Sequence, residues 1–186
     1  MISDHQLTEQ AKAGDARAFG QLVERHYDMI YNIAYKWCGH REDAEDITQE
    51  VCVKLARYLD SFQGNSTFST WLYRITLNTI KDNFRRRSTR QNNESSTDIQ
   101  NSDEDNYTNG IQLSTPASQE DSVMLQQVWK AIGQLPEKQK AAVIMVLSEG
   151  LSHKQAAEVL ESTESAISWH ISDARKKLQH LQKGGA

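Results

Sequence analysis

"GLSHKQAAEVLESTESAISWHISDARKKL", Gly150 to Leu178, spells out two helices and the turn between them. Ser152 and Gln155 form an S-x-x-Q capping box, which satisfies free backbone donors at a helix start. Ala156 and Ala157 are small enough for a second helix to approach, and Val159 and Leu160 complete the buried side. "ESTE" interrupts the pattern, and Ser162 or Thr163 is placed to cap the second helix. Ile167, Ile171, Ala174, Leu178 and Leu181 then recur at helical spacing as one inward face, with Ser165, Ser168, Trp169, Ser172 and Lys176 on the other. A short helix, a tight turn and a second helix with a small-polar outer face is the helix-turn-helix pattern, whose second helix enters the major groove of DNA. An ordinary helical hairpin has the same periodicity, so the pattern alone leaves both open. Trp169 points away from the inward face: it packs on a partner protein, lies on DNA sugars and thymine methyls, or folds back onto its own domain.

Toward the amino terminus, Leu125, Val128, Ile132 and Leu135 continue the helical spacing. Pro136 opens another helix, with Val143, Val146 and Leu147 expected inside. A second domain is therefore expected over 122–186. Residues 91–121 are different: rich in Ser, Thr, Asn and Asp, they carry Glu94, Asp98, Asp103, Glu104, Asp105, Glu120 and Asp121 with no Lys or Arg. Such a segment buries too little apolar surface to fold and reads as a disordered acidic linker. Residues 1–90 form the first domain. Ser3 and Asp15 are N-cap candidates for its opening helices, and Phe19, Val23, Ile30, Ala34 and Trp37 mark a buried stripe in the second. A third helix runs from about Asp43 to Tyr58 around Ile47, Val51 and Leu55. A fourth runs from about Ser69 to Arg87 with Leu72, Ile75, Thr79 and Ile80 inward.

The chain has 186 residues, of which 38 % are hydrophobic, and 2 are proline. Two modest helical cores fit that composition better than one large one, and the scarcity of alternating β-branched runs makes the chain all-α. Cys38 and Cys52 stand fourteen residues apart without a CxxC or a nearby His pair, so both read as reduced thiols rather than a metal or redox site. No apolar run approaches the ~20 residues of a membrane span, and MISDHQLTEQ lacks a signal-peptide core; the expected location is the cytoplasm, without membrane insertion.

The net charge of −4 argues against a general affinity for nucleic acid, but charge is unevenly spread. Arg74, Lys81, Arg85, Arg86, Arg87 and Arg90 crowd into residues 71–90 against Asp82 alone, beside Phe62, Phe68, Trp71, Tyr73 and Phe84. Partners feel such local patches within a Debye length of about 10 Å. Rings and cations together suit a separated nucleic-acid strand, where rings stack on bases and cations hold phosphates; core packing is the competing reading for Trp71 and Tyr73. "REDAEDITQEVCVKL", Arg41 to Leu55, places Asp43, Asp46 and Glu50 on one helical face beside Gln49. A solvated face, a metal site and a docking face for a basic protein all remain open for it.

"DAEDITQEV", then "FQGNSTFSTWLYRITLNTIKDNFRRR", an acidic linker, and "LPEKQKAAVIMVLSEGLSHKQAAEVLESTESAISWHISDARKKL" together resemble the bacterial sigma-70 family, in particular its small two-domain extracytoplasmic-function (ECF) sigma factors. The resemblance covers nearly all of the chain outside the linker and tail. It implies an all-α protein without catalytic centre, cofactor or metal, which binds core RNA polymerase (β′ clamp helices and β subunit) and directs promoter-specific initiation. By the resemblance, Asp43, Asp46, Gln49 and Glu50 dock on polymerase. Phe62, Asn65, Ser66, Thr67, Phe68, Tyr73, Arg74, Asn78, Lys81, Arg85 and Arg86 melt and hold the −10 element. Thr163, Ser165, Ser168, Trp169, Ser172, Arg175 and Lys176 read the −35 element. Promoter DNA, duplex and single-stranded, is then a partner, and an anti-sigma factor is implied as well. Two departures stand out: Cys52 replaces a usual aromatic residue, and the second helix of the helix-turn-helix, usually rich in Arg, carries Ser168, Trp169, His170 and Asp173 and keeps only Arg175, Lys176 and Lys177 as basic residues. A stand-alone helix-turn-helix regulator and a metal-dependent nuclease built on Asp43, Asp46 and Glu50 are the alternatives.

Overall fold

The computed structural model describes residues 2–94 and 127–183, all of whose regular elements are helical. The chain divides into two compact units, 1–104 and 105–186. The first contains α1 (Asp4–Lys12), α2 (Ala16–Cys38), α3 (Arg41–Tyr58), a 3₁₀ turn (Leu59–Ser61) and α4 (Phe68–Glu94). The second contains α5 (described over residues 127–133), α6 (Glu137–Val143) running into a π turn (Ile144–Ser148), α7 (His153–Val159) and α8 (Glu164–Lys183).

Local chemistry explains the boundaries of the first unit. Ser3 closes a capping box with Gln6, and the Asp15 carboxylate accepts from the backbone N–H groups of Arg17 and Ala18. Gly39 ends α2 at φ 74°, a left-handed conformation that a Cβ would strain. The core is built from Leu22, Ile30, Ile33, Ala34 and Trp37 of α2, Ile47, Val51 and Leu55 of α3, and Leu72, Leu77 and Ile80 of α4. Each fully buried aliphatic side chain contributes about 1.5–3 kcal/mol. Phe19, Val23 and Ile75 are only half-buried, because the inward stripes are centred on Ala18, Leu22 and His26 in α2 and on Leu72, Thr76 and Thr79 in α4. The buried threonines need no distant partner: Thr48, Thr76 and Thr79 donate to the carbonyls of Ala44, Leu72 and Ile75. α4 continues to Glu94, beyond the Arg87 where apolar spacing stops, so the start of the expected linker at 91–94 is helical. The rest of that linker and the expected domain start at Ser122 lie outside the described residues, as does Leu125.

In the second unit Ile132, Leu135, Ala141 to Met145, Ala156, Ala157, Val159, Ile167, Ile171 and Ala174 form the core. Pro136 stands at the N-cap of α6 rather than inside it. Val143 is buried as expected, but Val146 is half-buried and Leu147 exposed. The π turn is the reason: Glu149 N–H donates to the Ile144 carbonyl five residues back, which rotates the neighbouring positions off the α-helical register. The side chain of Leu181 lies outside the described set.

Candidate functional site

α3 and α4 pack together and carry opposite charges across their seam. The Arg87 guanidinium grips both oxygens of Asp43, Nη1 lying 2.6 Å from Oδ2. Arg86 Nη2 reaches Glu50 Oε2 at 2.6 Å, and Lys54 bridges Glu50 (3.3 Å) and Asp82 (3.4 Å). The cations at 86 and 87 thus meet acids 36 and 44 residues earlier in the chain. Arg87 holds the Asp43 carboxyl below its ordinary range, against the opposing effect of burial. A carboxylate with a depressed folded-state pKa stabilises the fold above its unfolded pKa, and the contribution disappears as pH falls through the folded value. Asp43→Asn should therefore cost about 0.5–1 kcal/mol at pH 7, after solvent screening of the partly exposed pair. The gap from the parent should close only below about pH 4, the ordinary aspartate value being 3.8. Chemical denaturation of both proteins from pH 7 to pH 2.5 measures this.

The four acidic-helix residues therefore separate. Asp43 faces α4 with both oxygens engaged, a poor disposition for a metal ligand. Glu50 sits between Arg86 and Lys54, whereas Asp46 and Gln49 are exposed. Val53, 60 % exposed, comes one helical turn after Gln49 and extends that outer stripe. Cys52 is half-buried, and burial pushes its thiol pKa up, which disfavours the reactive thiolate.

The aromatic residues of 62–73 turn inward. Phe62 (6 % exposed), Phe68 (4 %) and Tyr73 (6 %) are buried. Phe62, Phe68 and the half-buried Trp71 pack with ring centroids 5.2–5.8 Å apart, and the His26 ring lies 5.1 Å from Phe68. Phe62, Phe68 and Tyr73, expected to meet a DNA strand, are thus turned into the core rather than presented at the surface. Phe62 and Phe68 flank the polar loop 63–67. Within it Gly64 takes φ 74°, Asn65 and Thr67 are exposed and Ser66 is half-buried. Thr67 caps α4, its hydroxyl accepting from Thr70 N–H at 3.2 Å.

From that cap α4 carries Arg74, Asn78, Lys81 and Arg85 at intervals of four, three and four, on the side away from Leu72, Thr76 and Thr79. Asn78 and Arg85 are exposed, and Arg74 and Lys81 half-buried. Arg86 is off this stripe, turned to Glu50. The sequence reading missed the seam because neither helix alone reveals which charges face the other.

The second unit presents the helix-turn-helix as α7 and α8. Ser152 and Gln155 close their capping box, and Thr163, not Ser162, caps α8 by accepting from Ala166 N–H. Glu161 turns the chain at φ 49°. Ser165, Trp169, Ser172, Arg175 and Lys176 are exposed, and Trp169, 60 % exposed, does not fold back onto its domain. Ser168 is bound to His153 Nδ1 at 2.9 Å, linking α7 to α8. Gln139, buried in α6, donates to Asp173 at 2.6 Å and accepts from Lys177 at 3.0 Å, so Lys177 is spent on the fold and the outer face keeps Arg175 and Lys176. This anchor was also missed: Gln139 stands between Lys138 and Lys140, a polar setting that gives no sign of its burial. No described helix is long and apolar enough to cross a membrane.

Residues 22–90 match the family model for Sigma-70 region 2, and residues 125–178 that for Sigma-70, region 4. An ECF RNA polymerase sigma-E factor of Haemophilus influenzae is 33 % identical over 183 residues, spanning 96 % of this chain and 95 % of the relative. Among solved structures, CnrH in complex with the cytosolic domain of CnrY superposes with a TM-score of 0.71 at 26 % identity, covering 98 % of this chain and 99 % of that one. The sigma factor RpoE of Bartonella quintana, solved with the anti-sigma factor NepR, shares the fold with a TM-score of 0.72 at 24 % identity, over 92 % of this chain and 100 % of that one.

Proposed function

The chain belongs to the sigma-70 family, among its ECF RNA polymerase sigma factors, and from that premise we propose how its residues divide the work of initiation. Asp46 and Gln49, with Val53 below them, dock on the basic clamp helices of core polymerase, and Glu50 contributes from the seam. The loop 63–67 and the stripe Arg74, Asn78, Lys81 and Arg85 hold the melted −10 strand. The outer face of α8 around Ser165, Trp169, Ser172, Arg175 and Lys176 meets the −35 duplex.

The observation that carries this reading is the continuity of the exposed loop with the outward polar and cationic stripe of α4. Unstacking bases costs a few kcal/mol per step. A strand held by phosphate contacts and a base pocket offsets that cost, at ~1–3 kcal/mol per captured base where it stacks. With the aromatic rings turned inward, base capture falls to Asn65, Ser66 and Thr67 as hydrogen-bonding groups between the buried Phe62 and Phe68. Bond-making chemistry is left to the polymerase, the chain works in the cytoplasm, and an anti-sigma factor holds it off. The small-polar face of α8, with Trp169 as its one large apolar contact, favours thymine methyls and sugar edges over bidentate arginine readout.

In vitro transcription from a genomic promoter library tests the proposal. Core polymerase with the chain should start at a discrete promoter subset that core alone ignores. Specific duplex binding by the chain alone, without polymerase-dependent initiation, would instead support a stand-alone regulator.

A further inference from the structure

We propose that α1 is a positioning element for the loop 63–67, acting through Lys12; this rests on the strand-holding role of the loop proposed above. Lys12 Nζ donates to the Phe62 carbonyl at 2.6 Å and stands 5.7 Å from the centroid of the Phe62 ring. Phe62 is the last residue before the loop, and its own N–H is already bound to the Leu59 carbonyl. Lys12 is held from behind by Glu9 at 3.3 Å, and its side chain is 22 % exposed, so water screens the contact poorly.

The other end of the loop is tied to the other end of the same helix. Phe68 packs against the His26 ring at 5.1 Å. His26 Nε2 is bonded to Asp4 Oδ2 at 2.9 Å, and Asp4 also takes Arg25 at 2.5 Å. Asp4 is the first residue of α1 and Lys12 its last. The two ends of this nine-residue helix thus reach the two flanks of the loop, Phe62 directly and Phe68 through His26.

The two flanks also pack on each other and on Trp71, but these ring contacts carry no directional bond to the loop backbone. The side-chain hydrogen bonds of Asn65, Ser66 and Thr67 stay within residues 63–70. The loop's shape is local, while its placement is set where it is anchored. A pocket that selects one base needs placement within about 0.5 Å. A charge-assisted hydrogen bond to the first anchor supplies such placement. α1 lies outside the matched region 22–90, so the matched family model does not assign it this part.

Holoenzyme reconstituted from core polymerase and the full chain carries the test, on a promoter library randomised across the −10 element. Lys12→Met keeps the apolar stem and removes the donor. It should lower base preference at the captured position about tenfold, with core affinity unchanged and thermal melting showing a folded protein. Lys12→Arg, which keeps charge and donor, should restore the preference, a rescue that a purely structural role does not predict. Asp4→Asn loosens the opposite anchor and should give the same loss, so the test stands even if Lys12→Met fails to fold. Asn65→Ala serves as the control for the loop itself. If it lowers the preference while Lys12→Met and Asp4→Asn leave it at the parental level, the positioning role of α1 is wrong and the loop reading survives. If Asn65→Ala also changes nothing, both fall.

Discussion

Asp46→Lys is expected to weaken binding to core RNA polymerase about a hundredfold. Asp46 is exposed on the outer stripe of α3, so the change reverses a charge without removing anything from the core. Against a basic surface it replaces an attraction with a repulsion. A hundredfold corresponds to about 2.8 kcal/mol, within the range of about 2–5 kcal/mol that disrupting a charged interface pair costs. A titration of labelled chain with core enzyme, run with a thermal melt, separates lost affinity from lost fold. An unchanged dissociation constant would remove Asp46 from the docking surface. Glu50→Lys is the less informative variant, because it also strips Arg86 of its Glu50 partner and leaves Lys54 with Asp82 alone.

The second large effect is expected on DNA. The double change Lys81→Ala with Arg85→Ala should cut open-complex formation about ten- to fiftyfold while core affinity stays at the parental value. Both positions lie on the outward stripe of α4. Each lost phosphate contact on a single strand should also flatten the dependence of log affinity on log salt by about 0.7. Permanganate footprinting of melted thymines across a salt series reads both quantities. If melting and salt slope survive the double change, α4 does not grip the strand.

Most of the fold was legible because it is written in local chemistry. The N-caps at Ser3 and Asp15, the capping box at Ser152 and the inward series Ile167, Ile171 and Ala174 are short-range signals, and the structure obeys them. The features that escaped were long-range or directional. Phe62 lies in a loop without periodicity, so nothing in the sequence says which way its ring turns; the structure turns it onto Phe68 and Trp71. Arg86 and Arg87 look like free cations until α3 is laid beside α4. The π turn displaced Val146 and Leu147 because apolar spacing assumes a constant twist. α4 ran on to Glu94 because helix propagation needs backbone bonds rather than an apolar stripe, and the Thr89 hydroxyl on the Arg85 carbonyl lies on that polar extension.

The salt-bridged seam between α3 and α4 has a genetic consequence. On the proposed division of work, substitutions at Asp46 or Gln49 on one side, and at Asn78 or Arg85 on the other, are expected to fail in a single task and leave the other intact. Glu50 and Arg86 share one bond. A lesion at either is therefore pleiotropic, and clean separation-of-function alleles will cluster away from that pair.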